Sequence, residues 1–206
     1  FGSCMGSEWQ KRVFAVYEKI RSHREPYCID VLDMQLIVYP DVFSPKYITN
    51  SVWFAKQVSS MVFADERVLE IGTGTGILAC ACARKAASVI ATDINPVSVE
   101  NAQANAQRLG LDIDVREGNV FDPIGDEQFD CIFWNHPFNN WDGEKPDMLL
   151  QAGFDTNYTG LHEYIFGAQD YLTEGGRLLL GSGSGADTET IRRFCSDAGY
   201  SLKKLA

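Results

Sequence analysis

Basic residues are scarce in this sequence, which has 18 lysines and arginines against 28 aspartates and glutamates and a formal net charge of −10. A domain that grips duplex nucleic acid through its phosphates usually carries the opposite sign. The sequence also lacks an apolar run long enough to span a bilayer and lacks a signal-peptide pattern. We therefore predict a cytoplasmic protein without membrane contact, in which direct binding to nucleic acid is disfavoured.

The cysteines do not have the C-x-x-C spacing that is typical of a zinc site. They stand at positions 4, 28, 80, 82, 131 and 195. Cys80 and Cys82 are two apart on a predicted helix, so their side chains point to different sides. We predict no metal site and no disulfide framework, and we expect the cysteines to be small buried hydrophobic residues.

Short apolar runs alternate with helical patterns from residue 67 onward. Parallel strands need helical crossovers, so this alternation predicts an α/β fold with a doubly wound, mostly parallel sheet flanked by helices. The predicted strands are 68–71, 88–92, 112–117, 128–134, 177–182 and 200–205. The predicted helices are 50–63, 77–87, 95–109, 158–172 and 187–198.

The first part of the chain has a different pattern. Residues 8–24 carry apolar residues at helical spacing and predict an amphipathic helix, which is either a packing element or a lid. Residues 28–39 predict a hairpin, and 39–47 predict a shaped loop because two prolines interrupt it. We predict an N-terminal extension of helix, hairpin and loop over residues 1–48, followed by one compact domain over 49–206.

Three glycines, Gly72, Gly74 and Gly76, follow an apolar strand and precede a helix. Glycine lets the backbone turn sharply and lets a ligand approach it closely. Asp93 ends the next strand, about 20 positions later, where an acidic residue accepts hydrogen bonds from ribose hydroxyls in nucleotide-binding units. Asp93 is also well placed to cap the helix that follows.

Polar residues follow the third and fourth predicted strands as well. Asn119 comes after the third, and Asn135-His-Pro-Phe138 comes directly after the fourth. Ligands of such sheets bind beyond the carboxyl ends of the strands, so these residues are expected to meet at one crevice. A long polar loop is predicted over 139–157, and loops of this length are often functional.

These residues resemble the S-adenosylmethionine-dependent methyltransferases of the Rossmann-like class. Glu70-Ile-Gly-Thr-Gly-Thr-Gly76 resembles the first motif of that class, Asp93 its acidic second motif and Gly118-Asn119 its third. The resemblance implies that the glycine backbone receives the methionine portion, with its ammonium near Glu70. It also implies that S-adenosyl-L-methionine is bound by Glu70, Gly72, Thr73, Gly74, Gly76, Asp93 at the ribose, Ile94 and Asn119 at the adenine, Val120 and Asn135.

Asn135-His-Pro-Phe138 resembles the [N/D/S]-P-P-[Y/F] motif of members that methylate amine and amide nitrogens, with His136 in place of the first proline. These members include glutamine, ribosomal-protein and nucleic-acid base methyltransferases. The resemblance implies catalytic roles for Asn135, His136, Pro137 and Phe138. The Asn135 side chain and the His136 carbonyl would accept hydrogen bonds from the target nitrogen, and Phe138 would stack on a flat target.

The segment Val42-Phe-Ser-Pro45 resembles the one that precedes the fold in that group. We predict substrate contacts from Phe43, Pro45 and Trp141. The predicted function is S-adenosylmethionine-dependent N-methylation of an amine or amide nitrogen, in a small molecule or in a protein side chain such as glutamine.

Two other functions stay open at this point. One is methylation of an RNA or DNA base with the help of a basic partner subunit, and the other is a cofactor-binding subunit without turnover, which the substitution at His136 favours. The sequence also leaves open the methyl acceptor, the oligomeric state and whether a seventh strand follows Ala206. An exposed sheet edge would make pairing between copies plausible.

Overall fold

The computed structural model describes residues 8–86, 88–142 and 144–205; Cys4 lies outside them. In chain order the elements are α1 (Glu8–Arg21), β1 (Tyr27–Val31), β2 (Met34–Val38), α2 (Asn50–Met61), β3 (Arg67–Ile71), α3 (Ile77–Ala83), β4 (Ser88–Asp93), α4 (Pro96–Arg108), β5 (Asp114–Glu117), β6 (Phe129–Asn135), β7 (Asn139–Trp141), α5 (Met148–Gln151), β8 (Phe154–Thr156), α6 (Thr159–Gly167), β9 (Leu172–Gly181) and α7 (Thr188–Asp197). A short 3-10 turn, Ala168–Asp170, follows α6.

The central sheet has five parallel strands in the order β5-β4-β3-β6-β9. The chain starts in the middle at β3, moves outward through β4 and β5, and returns to the other side of β3 with β6 and β9. This reversal between β3 and β6 is the switch point at which such sheets bind ligands. The predicted doubly wound α/β fold is confirmed.

Both faces of the sheet are buried under helices. Residues of α2, α3 and α4 form one hydrophobic cluster, and residues of α6 and α7 form the other. Strand β6 contributes to both, since Phe133 faces the first cluster and Ile132 and Trp134 face the second. Alternate side chains of a strand point to opposite faces, and burial on both faces is typical of parallel sheets.

The predicted hairpin forms from β1 and β2, which pair antiparallel. Its two turn residues, Leu32 and Asp33, both have positive φ, as the tight two-residue hairpin turn requires. The side chains of Asn101 and Asn105 in α4 hydrogen-bond to the backbone of Ile37, at 2.8 Å each, and so fasten β2 to the domain. The boundary at residue 49 stays a prediction.

Helix α1 packs on the segment between β6 and α6. Its residues Tyr17 and Ile20 are buried against Leu149 and Phe154. An ion pair between Arg21 and the α5 cap adds a polar contact.

The described residues contain no helix whose length and hydropathy would let it span a bilayer.

Several predictions of local structure were wrong. The segment 139–157 is not a structureless loop, because β7 and β8 pair in parallel within it and α5 lies between them. Residues 200–205 form no strand and are mostly exposed, so β9 is the edge of the sheet. The last strand begins at Leu172 instead of residue 177, since it continues through a bulge opposite Phe129 and Cys131.

Two smaller expectations also failed. Helix α3 ends at Ala83, four residues before the predicted end at position 87. Cys28 is exposed on β1, whereas the other four described cysteines are buried as expected. Cys28 differs because β1 belongs to a two-stranded hairpin with one open face.

Candidate active site

A cavity lies at the carboxyl ends of the central strands, on the switch point between β3 and β6. Most residues that the sequence singled out line it: Glu70, Gly72, Thr73, Gly74, Asp93, Ile94, Asn119, Val120, Asn135, Pro137, Phe43 and Pro45. The predicted convergence of four strand ends therefore occurs. Gly76, His136, Phe138 and Trp141 are outside this lining.

Two glycines of the glycine loop have different roles, one in ligand approach and one in packing. Gly74 has φ +56° and is open toward the cavity, since an added Cβ would meet only the Phe43 carbonyl oxygen, at 3.9 Å. Gly76 has φ +79°, and a Cβ there would lie 3.0 Å from that of Ala102. Gly74 therefore lets a ligand reach the backbone, whereas Gly76 lets α3 start close to α4.

Asp93 holds the glycine loop in place. Its carboxylate accepts hydrogen bonds from the backbone N–H groups of Gly74, at 2.8 Å, and Asn95, at 2.9 Å. Burial raises its pKa from 3.8 to about 6. Each carboxylate oxygen has two lone-pair sites, so Asp93 still has acceptors to offer to hydroxyl groups in the cavity.

Glu70 is a buried carboxyl group beneath the loop. A single oxygen, Oε2, accepts from the Thr73 hydroxyl at 2.7 Å and from the Ala79 N–H at 2.9 Å. Burial, together with the nearby charge of Asp93, raises its pKa from 4.5 to about 8. A cationic ligand group beside Glu70 would favour its ionised form.

We expect Glu70→Gln to remove a pH dependence from the stability of the ligand-free protein. Between pH 6.5 and 8 the unfolded carboxyl has lost its proton while the folded one still holds it, so stability falls as pH rises. The wild type should lose about 1.5 kcal/mol of unfolding free energy over this range. Glutamine keeps one oxygen for both hydrogen bonds and does not ionise, so chemical denaturation of the variant should not show this loss.

The difference between the wild type and the variant isolates Glu70 from the other buried groups. Asp93 has a pKa of about 6, and His136 carries part of a charge near pH 6.5 only in the unfolded state, so both add small slopes that are common to the wild type and the variant. Equal slopes for wild type and variant above pH 6.5 would contradict the buried, protonated carboxyl.

Asn119 and Val120 form the wall after β5. The Asn119 amide donates to Glu163 Oε2 at 2.7 Å, which leaves its own oxygen as the group available to a ligand. Val120 has φ +40° and is buried, an uncommon conformation for a β-branched residue. Strained backbone of this kind persists only where the surrounding structure fixes it, and it often occurs at ligand sites.

Asn135 and Pro137 form the opposite end of the cavity. The Asn135 side-chain oxygen is buried and has no hydrogen-bond partner among the described residues. An unpaired buried acceptor costs about 1–3 kcal/mol, so it is ready to receive an N–H group. This atom is the strongest sign of a polar acceptor site on the cavity wall.

His136 and Phe138 lie apart from that wall. The His136 ring is only 2% exposed and packs edge-on against Trp134 and Phe138, with ring centroids 6.2 and 5.3 Å away. Burial lowers its pKa from 6.5 to about 4, so the ring is neutral at pH 7. Phe138 packs against Gly183, where an added Cβ would come within 2.9 Å of its ring.

Trp141 packs with α1 and its neighbours. Its ring is edge-on to Phe154 with centroids 5.2 Å apart, and its indole N–H donates to the Glu144 carbonyl. The structure adds wall residues that the sequence reasoning missed, among them Asp41, Met148, Gln151 and Ala152. The available signal was Asp147, which caps α5 by accepting from the Leu150 N–H at 3.0 Å.

The lining residues suit S-adenosyl-L-methionine. The open backbone at Gly74 and the carboxyl of Glu70 would hold its methionine portion, which carries an ammonium. Asp93 would accept from the ribose hydroxyls, and Ile94, Val120 and the Asn119 oxygen would hold the adenine. No group of three or more metal-binding side chains occurs among the described residues.

Comparison with known proteins gives consistent matches. The family model described as "Methyltransferase small domain" matches residues 33–193. A putative protein N5-glutamine methyltransferase of Methanocaldococcus jannaschii is 32% identical over 172 residues, which cover 81% of this chain and 85% of the relative. A release factor glutamine methyltransferase of Geobacter sulfurreducens is 29% identical over 196 residues, with coverage of 87% and 68%.

A solved structure is similar as well. The crystal structure of ribosomal protein L11 methylase from Lactobacillus delbrueckii subsp. bulgaricus aligns with a TM-score of 0.58 and 25% identity. The alignment covers 80% of this chain and 76% of that one.

Proposed function

Since the chain belongs to the methyltransferase small domain family and is an S-adenosyl-L-methionine-dependent N-methyltransferase, we propose that its acceptor is the side-chain amide of a glutamine in a protein. The unpartnered oxygen of Asn135 on the cavity wall carries this proposal. The similar proteins named as glutamine methyltransferases support it. We also propose that the reaction takes place in the cytoplasm.

The residues at the end of β6 supply what an amide nitrogen needs. S-adenosyl-L-methionine, when bound, supplies a sulfonium methyl group that a nitrogen lone pair can attack. An amide nitrogen is a poor nucleophile because its lone pair is shared with the carbonyl. The Asn135 oxygen and the His136 carbonyl would accept hydrogen bonds from the two N–H groups of the target amide. These bonds would direct the nitrogen lone pair into the cavity and favour the developing positive charge.

The side chains indicate where the proton goes. Asn135 is not a base, and the ring of His136 does not line the cavity. The proton of the methylated nitrogen is therefore released to water after transfer. The residues of the motif act by holding and orienting the nitrogen rather than by taking its proton.

Cavity residues define the space for the substrate. Phe43 and Pro45 form one side, and Met148 and Gln151 of α5 form another. A glutamine side chain entering between them would reach Asn135 and Pro137. We propose Phe43 and Pro45 as substrate-binding residues; Phe138 and Trp141 pack elsewhere and are proposed only as supports of the wall.

The test is incubation with methyl-labelled S-adenosyl-L-methionine and fractionated cell extract. We expect label in the protein fraction and release of labelled methylamine on acid hydrolysis, because hydrolysis of N5-methylglutamine frees that amine. Label on lysine would survive hydrolysis as methyl-lysine and would contradict an amide acceptor. Label that stays with nucleic acid, with activity that falls steeply as salt is raised, would favour a base methyltransferase.

A further inference from the structure

Two buried polar side chains without partners follow the neighbouring strands β6 and β9. Neither ring nitrogen of His136 makes a hydrogen bond of normal geometry among the described residues, although the Pro137 backbone comes close enough to the ring to raise its pKa against the effect of burial. The hydroxyl of Ser182 has no partner there either. All three atoms are enclosed by protein. Leaving such groups unpaired costs about 1–3 kcal/mol each, so two together call for an explanation.

The sheet register brings these two residues side by side. Trp134 pairs with Leu180 and Asn135 pairs with Gly181, so positions 136 and 182 come next on adjacent parallel strands. Neighbouring positions in register point to the same face of a sheet, about 5 Å apart. Trp134 and Leu180 belong to the cluster under α6 and α7, and His136 and Ser182 follow on that face two residues later.

Phe138 lies beside this pair of residues. Its ring is 5.3 Å from the His136 ring and rests against Gly183, the residue after Ser182. Phe138 therefore contacts one member of the pair and the residue next to the other. A neutral imidazole has one donor and one acceptor nitrogen, and a hydroxyl can both donate and accept, so the two groups are chemically complementary.

We propose that His136 and Ser182 are linked through one buried water molecule, and that this link makes Ser182 a positioning residue for methyl transfer. The proposal rests on the function proposed above. The link between His136 and Ser182 gives the turn after β6 a fixed shape, so that the His136 carbonyl and the Asn135 oxygen stay directed at the target nitrogen. A proline at position 136 would fix the backbone through its ring, whereas histidine needs a tether from its side chain.

The test is a double-mutant cycle with Ser182→Ala. Ser184→Ala, an exposed serine on the same segment, serves as the matched control. We expect Ser182→Ala to lower kcat about tenfold, with the Kd for S-adenosyl-L-methionine within about twofold of wild type. The control should leave kcat unchanged.

The decisive measurement repeats Ser182→Ala in two other backgrounds. In His136→Pro the pyrrolidine ring fixes the backbone in place of the water-mediated link. In His136→Phe the aromatic packing is kept, but the imidazole nitrogens are absent. Adding Ser182→Ala to either should change kcat by less than about twofold, because the partner of Ser182 is already gone. Thermal melting shows which of the two His136 variants folds, and one folded variant is enough to complete the cycle.

A tenfold loss of kcat in every background would mean that Ser182 acts only through general packing and would overturn the link. Equal kcat for Ser182→Ala and Ser184→Ala would overturn it too. A wild-type protein that methylates no glutamine-containing substrate would instead contradict the proposed function. The two failures are therefore distinguishable.

Discussion

Replacing Asn135 by alanine is expected to lower kcat by about 10²–10³-fold, while the Kd for S-adenosyl-L-methionine stays within about twofold. The substitution removes the side-chain oxygen of a cavity-lining residue that is buried without a partner among the described residues. The target nitrogen would then be held by the His136 carbonyl alone, and its lone pair would be free to rotate away from the methyl group. Turnover of a glutamine-containing substrate and calorimetric titration of the cofactor check the two parts.

Asn135→Asp is the matched control for this result. It keeps an oxygen at the same position and nearly the same volume, so we expect it to retain more activity than the alanine variant. Unchanged turnover in Asn135→Ala would reject the role of the side chain. A parallel loss of cofactor affinity would place Asn135 in cofactor binding instead.

Replacing Asp93 by alanine should raise the Kd for S-adenosyl-L-methionine by about 10–100-fold, which is the loss of one or two hydrogen bonds to a charged group. The variant should also unfold at lower temperature, because the N–H groups of Gly74 and Asn95 lose their acceptor. Isothermal titration calorimetry measures the first effect, and thermal unfolding without ligand measures the second.

Asn95→Ala separates the two effects. It removes the Asn95 side-chain oxygen that accepts from the Val97 N–H and caps α4, but it leaves the Asp93 carboxylate in the cavity. We expect it to lower thermal stability with a smaller change in cofactor affinity. If Asp93→Ala binds the cofactor as tightly as wild type, the assignment of Asp93 to the ribose is wrong.

The parts of the site that the sequence predicted share one property. Gly74, Asp93, Asn119 and Asn135 each lie at the end of a strand or shortly after it, so the topology of the sheet alone brings them together. Their positions depend on local patterns, namely an apolar run followed by glycine or a polar residue. The resemblance to a known family added the identity of the ligand and not the position of the residues.

The wall formed by α5 could not be predicted in the same way. This helix has only four residues, too few to show a periodic pattern. It is held by tertiary contacts, because Leu149 and Phe154 pack against Tyr17 and Ile20 of α1. Trp141 was expected at the substrate for its aromatic character, and it packs in the same cluster instead.

The side on which His136 lies follows from a simple rule. Alternate residues of β6 face opposite sides, so His136 shares the face of Trp134 while Asn135 faces the other. The sequence therefore separates the carbonyl of residue 136, which we propose for the acceptor site, from its ring, which packs on the other side of the strand end. What the sequence does not reveal is the neighbour on β9, because strand pairing joins distant segments.

The ion pair between Arg21 and Asp147 joins positions 126 residues apart in the chain. Contacts of such high sequence separation form late in folding, since the entropy of closing the intervening loop opposes them. The sheet and the glycine loop depend on nearer neighbours and can assemble first. The polypeptide would then form the sheet edge that carries the glycine loop and Asn135 before the wall of α5, so a nascent chain gains the cofactor site earlier than the side of the cavity proposed for the substrate.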